Sequence, residues 1–153
     1  MEQKEIAKAY LEKLGYKIRP VDEGDASFMF EMKRIFLFEE GEPDGDQYLS
    51  LVIPYIDVIR EGQEDIILRA CNTVNQTLRI IKIIANPDTN SVVGVCGTYS
   101  SEKESVELFI KHALNAIACC SSMYEAAKKR LIRQEQLSES KIVEPGSDPS
   151  GQA

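Results

Sequence analysis

The chain has 153 residues and a net charge of −7, with 43% hydrophobic and 28% charged side chains. That length suits one domain with a single core, and the composition is globular rather than disordered or fibrous. An acidic chain repels phosphate backbones, which argues against a nucleic-acid partner, and no apolar run approaches the ~20 residues of a membrane span.

Met1-Glu2-Gln3-Lys4-Glu5 lacks the basic start and apolar block of a signal peptide, so secretion is not expected. Cysteines stand at 71, 96, 119 and 120 with no C-x-x-C pair. Cys119 and Cys120 would point about 100° apart on a helix, too splayed to hold one tetrahedral metal. The cysteines read as reduced thiols, mostly buried, in a cytoplasmic protein.

Residues 2–14 have helical spacing, with Ile6, Ala7, Tyr10, Leu11 and Leu14 on one face and Gly15 as a left-handed C-cap. From Tyr16 the period becomes two. Tyr16 to Arg19 alternates, and Asp22-Glu23-Gly24-Asp25 is turn chemistry. Phe28, Phe30 and Met32 then continue a strand. Ile35-Phe36-Leu37-Phe38 is apolar on both faces, as expected of a strand covered on both sides. The acidic stretch Glu39–Asp46 breaks the sheet, and Tyr48–Ile53 forms the next strand, with Pro54 ending it or lying on an edge. Turns this short require antiparallel pairing.

A second helix is expected over 63–78, with Ile67, Ala70, Cys71, Val74 and Leu78 inward. On it, Asn72 and Asn75 stand one turn apart and suit bridging of nearby backbone better than a ligand. A hairpin follows, with arms Arg79–Ile84 and Ser91–Cys96 around an Asn-Pro-Asp-Thr-Asn turn.

Ser101-Glu102-Lys103-Glu104 reads as a capping box opening a helix to about Arg133, about 45 Å long. Val106, Ile110, Ala113, Ile117, Cys120, Tyr124, Ala127 and Leu131 repeat at four, three, four, three, the rhythm of a packing seam. Ile110, Ile117, Tyr124 and Leu131 are its candidate partner-binding or dimer residues. The basic cluster Lys128, Lys129, Arg130 and Arg133 suits a helix C-terminus. The expected organisation is a domain over 1–133 and a disordered acidic tail over 134–153, which carries Pro145, Gly146, Pro149 and Gly151. The fold class is α+β, in the order α, three or four β, α, two β, α, with an antiparallel sheet packed against helices.

Chemical constellations are scarce. His112 is the only histidine, and Cys119 lies roughly two helical turns from it, so neither a metal cluster nor a Cys–His pair is expected. Gly94-Val95-Cys96-Gly97 lies within a strand, and packing under a helix explains its glycines. Glu42-x-Asp44-x-Asp46 lacks the downstream glutamate of a calcium loop. No catalytic residue, cofactor site or metal site is assigned.

Tyr48-Leu49-Ser50-Leu51-Val52-Ile53-Pro54, Ala70-Cys71-Asn72-Thr73-Val74-Asn75 and the strand Arg79–Ile84 resemble segments of the type III secretion chaperone-like fold, including the YbjN-like family. The element order is also similar over residues 2 to about 125. The resemblance implies a small acidic homodimer that binds protein clients without chemistry of its own. The expected function is a non-enzymatic protein-binding module, chaperone-like or regulatory. The alternatives are an enzyme using scattered carboxylates, such as the Asp22–Asp25 loop, and a purely structural subunit of a larger complex.

Overall fold

The computed structural model describes residues 2–21 and 25–147, with side chains as far as residue 140. Met1, residues 22–24, where a turn was expected, and residues 148–153 of the expected tail lie outside the described residues. Helix α1 (Gln3–Lys13) buries Ile6, Ala7 and Leu11 as its spacing requires, and Gln3 with them. It ends at Gly15, whose φ is +100°. There the Tyr16 N–H reaches back to the Leu11 carbonyl and the Gly15 N–H to that of Glu12. This is a Schellman cap, and glycine adopts its left-handed geometry without strain.

Six antiparallel strands follow in the spatial order β1-β2-β3-β4-β6-β5. They are β1 (Arg19–Pro20), β2 (Ala26–Phe30), β3 (Lys33–Gly41), β4 (Gln47–Val58), β5 (Ile81–Asn86) and β6 (Ser91–Thr98). Helix α2 (Glu64–Thr77) joins β4 to β5, and helix α3 (Lys103–Ser147) closes the order. Tyr16 belongs to no strand. Its ring packs on Phe28 and Phe30 at centroid distances of 5.5 and 5.8 Å.

Met32 does not extend β2. Glu31 and Met32 form the two-residue turn between β2 and β3, with φ of 49° and 67°. Positive φ at both positions matches the twist of a tight hairpin, although neither residue is a usual choice there. Glu39, Glu40 and Gly41 continue β3 instead of breaking the sheet. Pro54 neither ends β4 nor lies on an edge strand. The β3 pairing stops at Val52, and the β4–β6 register slips between Ile53 and Asp57. Pro54 sits in this bulge, where a missing N–H disrupts no regular ladder bond.

The three helices lie on one face of the sheet. The inward rows Ala26–Leu37–Leu51–Cys96–Ile81 and Ile53–Gly94–Ile83 are buried beneath them. All eight seam positions of α3, from Val106 to Leu131, are buried within this one chain. The seam is intramolecular, filled by α1, α2 and the strands β5 and β6.

Helix α3 begins with the Glu102 carbonyl accepting the Val106 N–H, which puts Glu102 rather than Ser101 at the N-cap. It then runs 45 residues, well past the expected end at Arg133. Residues 134–147 are therefore helical where a tail was expected. They contain good helix formers such as Gln134, Glu135, Gln136 and Leu137, and propagation adds one hydrogen bond per residue fixed. The cluster 128–133 is thus mid-helix, and the terminal-dipole explanation for it falls.

Deleting residues 137–153 should change stability by well under about 1 kcal/mol, because the described side chains in that stretch are exposed. Truncation at Ile117 removes the buried Tyr124 and Leu131, each worth about 1.5–3 kcal/mol, and should abolish cooperative unfolding by circular dichroism. Replacing Glu31-Met32 by Asn-Gly should raise stability by about 1 kcal/mol in chemical denaturation, by relieving two left-handed non-glycine residues.

Candidate functional site: the uncovered face of the sheet

Residues directly opposite one another in an antiparallel sheet share a face. One outward row is Ser27–Phe36–Val52–Val95–Lys82, and the next is Phe38–Ser50–Gly97. Met29 stands opposite Arg34, Glu40 opposite Tyr48, and Ile84 opposite Val93. No described helix covers these positions. Phe36, Phe38, Val52, Val93 and Val95 are half-buried by one another, while Met29 and Ile84 are exposed. The two phenylalanine rings stack at 6.0 Å with an interplanar angle of 11°. The apolar run of β3 is therefore covered on one side only, and its second side forms a flat apolar surface.

The glycines of β6 serve the two faces separately. A side chain at Gly94 would press on the Ile53 and Ile56 methyls, at 3.2 and 3.0 Å from its Cβ. A side chain at Gly97 would overlap the Tyr48 ring, which lies across it on the outward face. Side chains of β4, not a helix, thus crowd both glycines. Tyr48 in turn packs against Tyr99 at 4.7 Å, and the Tyr99 hydroxyl donates to Glu42 at 3.2 Å.

Polar groups bound this surface asymmetrically. Arg34 donates to the buried Ser27 hydroxyl at 2.8 Å and marks one end of the face. Glu40 and the hairpin carrying Glu42, Asp44 and Asp46 mark the other. The sheet edges are protected. Strand β1 has only two residues, one of them Pro20, and the outer edge of β5 is occupied by Asn75. The Asn75 amide donates to the Ile83 carbonyl at 3.0 Å and accepts its N–H at 2.8 Å. Asn75, though exposed, thus bridges backbone as expected, and Asn72 is exposed as well.

The sequence-derived seam residues Ile110, Ile117, Tyr124 and Leu131 come together, but on the opposite side, inside the core. Tyr124 has a further role that spacing alone did not reveal. Its hydroxyl donates to Asp57 at 2.6 Å, and the Lys128 ammonium reaches the same carboxylate oxygen at 2.6 Å. Asp57 and Lys128 are 13% and 12% exposed, so this ion pair is largely enclosed. Burial opposes ionisation of Asp57, but hydrogen bonds from Lys128, Tyr124 and the Val58 N–H, with the Lys128 charge, hold its carboxyl below the ordinary range.

Three of the thiols are buried in the core. Burial, with the nearby Asp57 charge, pushes the Cys71 thiol up to about 11. Burial pushes Cys96 up to about 12 and raises Cys120 as well. Thiols so shifted are protonated at neutral pH and poor nucleophiles. Cys119 is exposed, and so is His112, which lines a shallow groove with Ile80, Leu108 and Phe109. A second cleft of about 580 Å³ lies between the start of α2 and the β5–β6 turn, lined by Ile59, Glu64, Leu68 and Pro87. Among the described residues no group of three His, Cys, Asp or Glu side chains is placed to hold a metal, and no helix is long and apolar enough to cross a membrane.

Because Asp57 is more acidic folded than unfolded, its stabilising contribution is complete above the ordinary aspartate pKa of about 3.9. It is lost progressively as pH falls from there through the lower folded value. Asp57→Asn should flatten the acid limb of the stability curve. Tyr124→Phe should cost about 1 kcal/mol and Lys128→Met about 2 kcal/mol at neutral pH, by denaturant titration.

No family model and no curated protein matches the chain. Among solved structures it is similar to the crystal structure of YbjN, a proposed transcription regulator from E. coli, with a TM-score of 0.55 and 12% identity. The match covers 83% of this chain and 92% of that one. At this identity the likeness is one of fold. It agrees with the YbjN-like reading of the sequence, and nothing in it speaks of type III secretion.

Proposed function

We propose that this chain is a non-enzymatic, cytoplasmic protein-binding module, chaperone-like or regulatory, which engages its partners through the uncovered face of the sheet. The observation that carries the reading is a six-stranded sheet with helices on one face and an apolar surface on the other. Contiguous exposed apolar surface on a monomer is characteristic of interaction sites. Flat aromatic and aliphatic side chains supply contact area at little entropic cost, while Arg34 and Glu40 supply a polar rim. The likeness in fold to a proposed regulator points the same way. The raised thiols and the isolated His112 supply no nucleophile–base pair, which favours binding over turnover.

Phe38→Glu and Ile84→Glu place charges on this face without entering the core. Reduced insulin, as a generic unfolded chain, provides the probe. The wild type should delay its aggregation in light scattering, and each variant should lose most of that effect while keeping its thermal midpoint. Well-folded variants that protect as the wild type does would place binding elsewhere.

A further inference from the structure

The outward face is electrically divided along one line. The row Leu37–Leu51–Cys96–Ile81 crosses the sheet at right angles to the strands. On one side of it, facing outward, lie Arg34, Phe36, Val52, Val95 and Lys82. On the other lie Phe38, Glu40, Tyr48, Ser50 and Gly97, with the acidic hairpin residue Glu42 just beyond. One half of an apolar face is thus basic and the other acidic.

We infer that the face binds a second copy of this chain, sheet against sheet, about a two-fold axis running along that row. This rests on the protein-binding reading above and names one occupant for the same surface. Such an axis lays β3 antiparallel over the partner's β3. Phe36 then meets Phe38 of the partner subunit, and Arg34 comes over Glu40 of the partner subunit, twice per dimer. Rotation about an axis parallel to the strands would instead set Arg34 and Lys82 over the partner's basic half. Charge complementarity selects the antiparallel arrangement.

The size of the face fits a modest interface. Five strands spaced about 4.8 Å apart, with outward residues repeating every ~6.8 Å, give a patch roughly 20 Å on a side. Two such patches bury roughly 800–1,000 Å², at the lower end of specific association. The dimer should therefore be concentration-dependent rather than obligate.

Sedimentation equilibrium of the full chain across the micromolar range tests this by charge reversal. Arg34→Glu and Glu40→Arg, singly, should each weaken dimerisation at least about tenfold, since each makes two contacts repulsive. The double variant should recover the wild-type dissociation constant within about threefold. Arg34 bonds to Ser27, so circular dichroism must confirm its fold; Glu40 is exposed, and Glu40→Arg carries the test if Arg34→Glu unfolds. A wild type that stays monomeric overturns the inference, as does a dimer indifferent to the reversals or unrestored by the pair. If the wild type is monomeric yet Phe38→Glu still abolishes protection of reduced insulin, the second copy is excluded and the protein-binding reading survives.

Discussion

The inward stripe of α3 runs from Val106 to Leu131 against the same side of the sheet that α1 and α2 cover. The buried apolar side chains described are gathered there, in one continuous cluster reaching from Ile6 to Leu131. The cost is asymmetry. With every helix committed to one layer, the strands must present their alternate side chains without cover. A sheet in that position usually turns polar outward, yet here the positions are Phe36, Phe38, Val52, Val93 and Val95. That departure distinguishes a surface kept apolar from one merely left over.

The bulge in β4 links this layer to the helix behind it. Between Ile53 and Asp57 the strand carries extra residues relative to β6, which brings both Ile53 and Ile56 over Gly94. The slip also presents Asp57 to Tyr124 and Lys128 on α3. Two hydrogen bonds to one carboxylate oxygen fix the helix where its apolar contacts thin toward Leu131. A carboxylate so enclosed would be costly without both donors, so strand irregularity and helix position depend on each other.

Much of the fold was legible because its signals are local. Helical spacing located α1 and α2, turn residues located the β5–β6 hairpin, and the four-three rhythm identified eight of the nine buried apolar positions described on α3, missing only Leu114. What the rhythm could not supply was the identity of the opposing surface. A stripe at seam spacing looks the same whether it packs on a partner or on its own sheet, and Ile110, Ile117, Tyr124 and Leu131 pack on their own chain. The Glu31-Met32 turn was hidden because apolar alternation runs straight through Met32, and neither residue announces positive φ. Pro54 misled for a similar reason: its meaning depends on a register slip that only pairing reveals. Asp57 lies 67 residues from Tyr124 in sequence, and no spacing rule joins such a pair. The candidate face was half legible. The apolar double-sided run of β3 was visible, but it suggested cover on both sides.

The manner of association that this architecture permits follows from how its edges are treated. An open edge strand invites pairing through backbone hydrogen bonds, without regard to side-chain identity. Here one edge is a two-residue strand ending in Pro20, and at the other Asn75 occupies both the N–H and the carbonyl of Ile83. A helix side chain that mimics a neighbouring strand removes part of the template to which another chain would add. With both edges blunted, association through the face remains, and there selectivity comes from side chains. Apolar area alone would bind many surfaces weakly, whereas in the proposed dimer Arg34 and Glu40 at opposite ends of β3 would reward one orientation and penalise its reverse. Pro20 and Asn75 thus disfavour pairing at the edges, and the association proposed above would depend on the face and its charges.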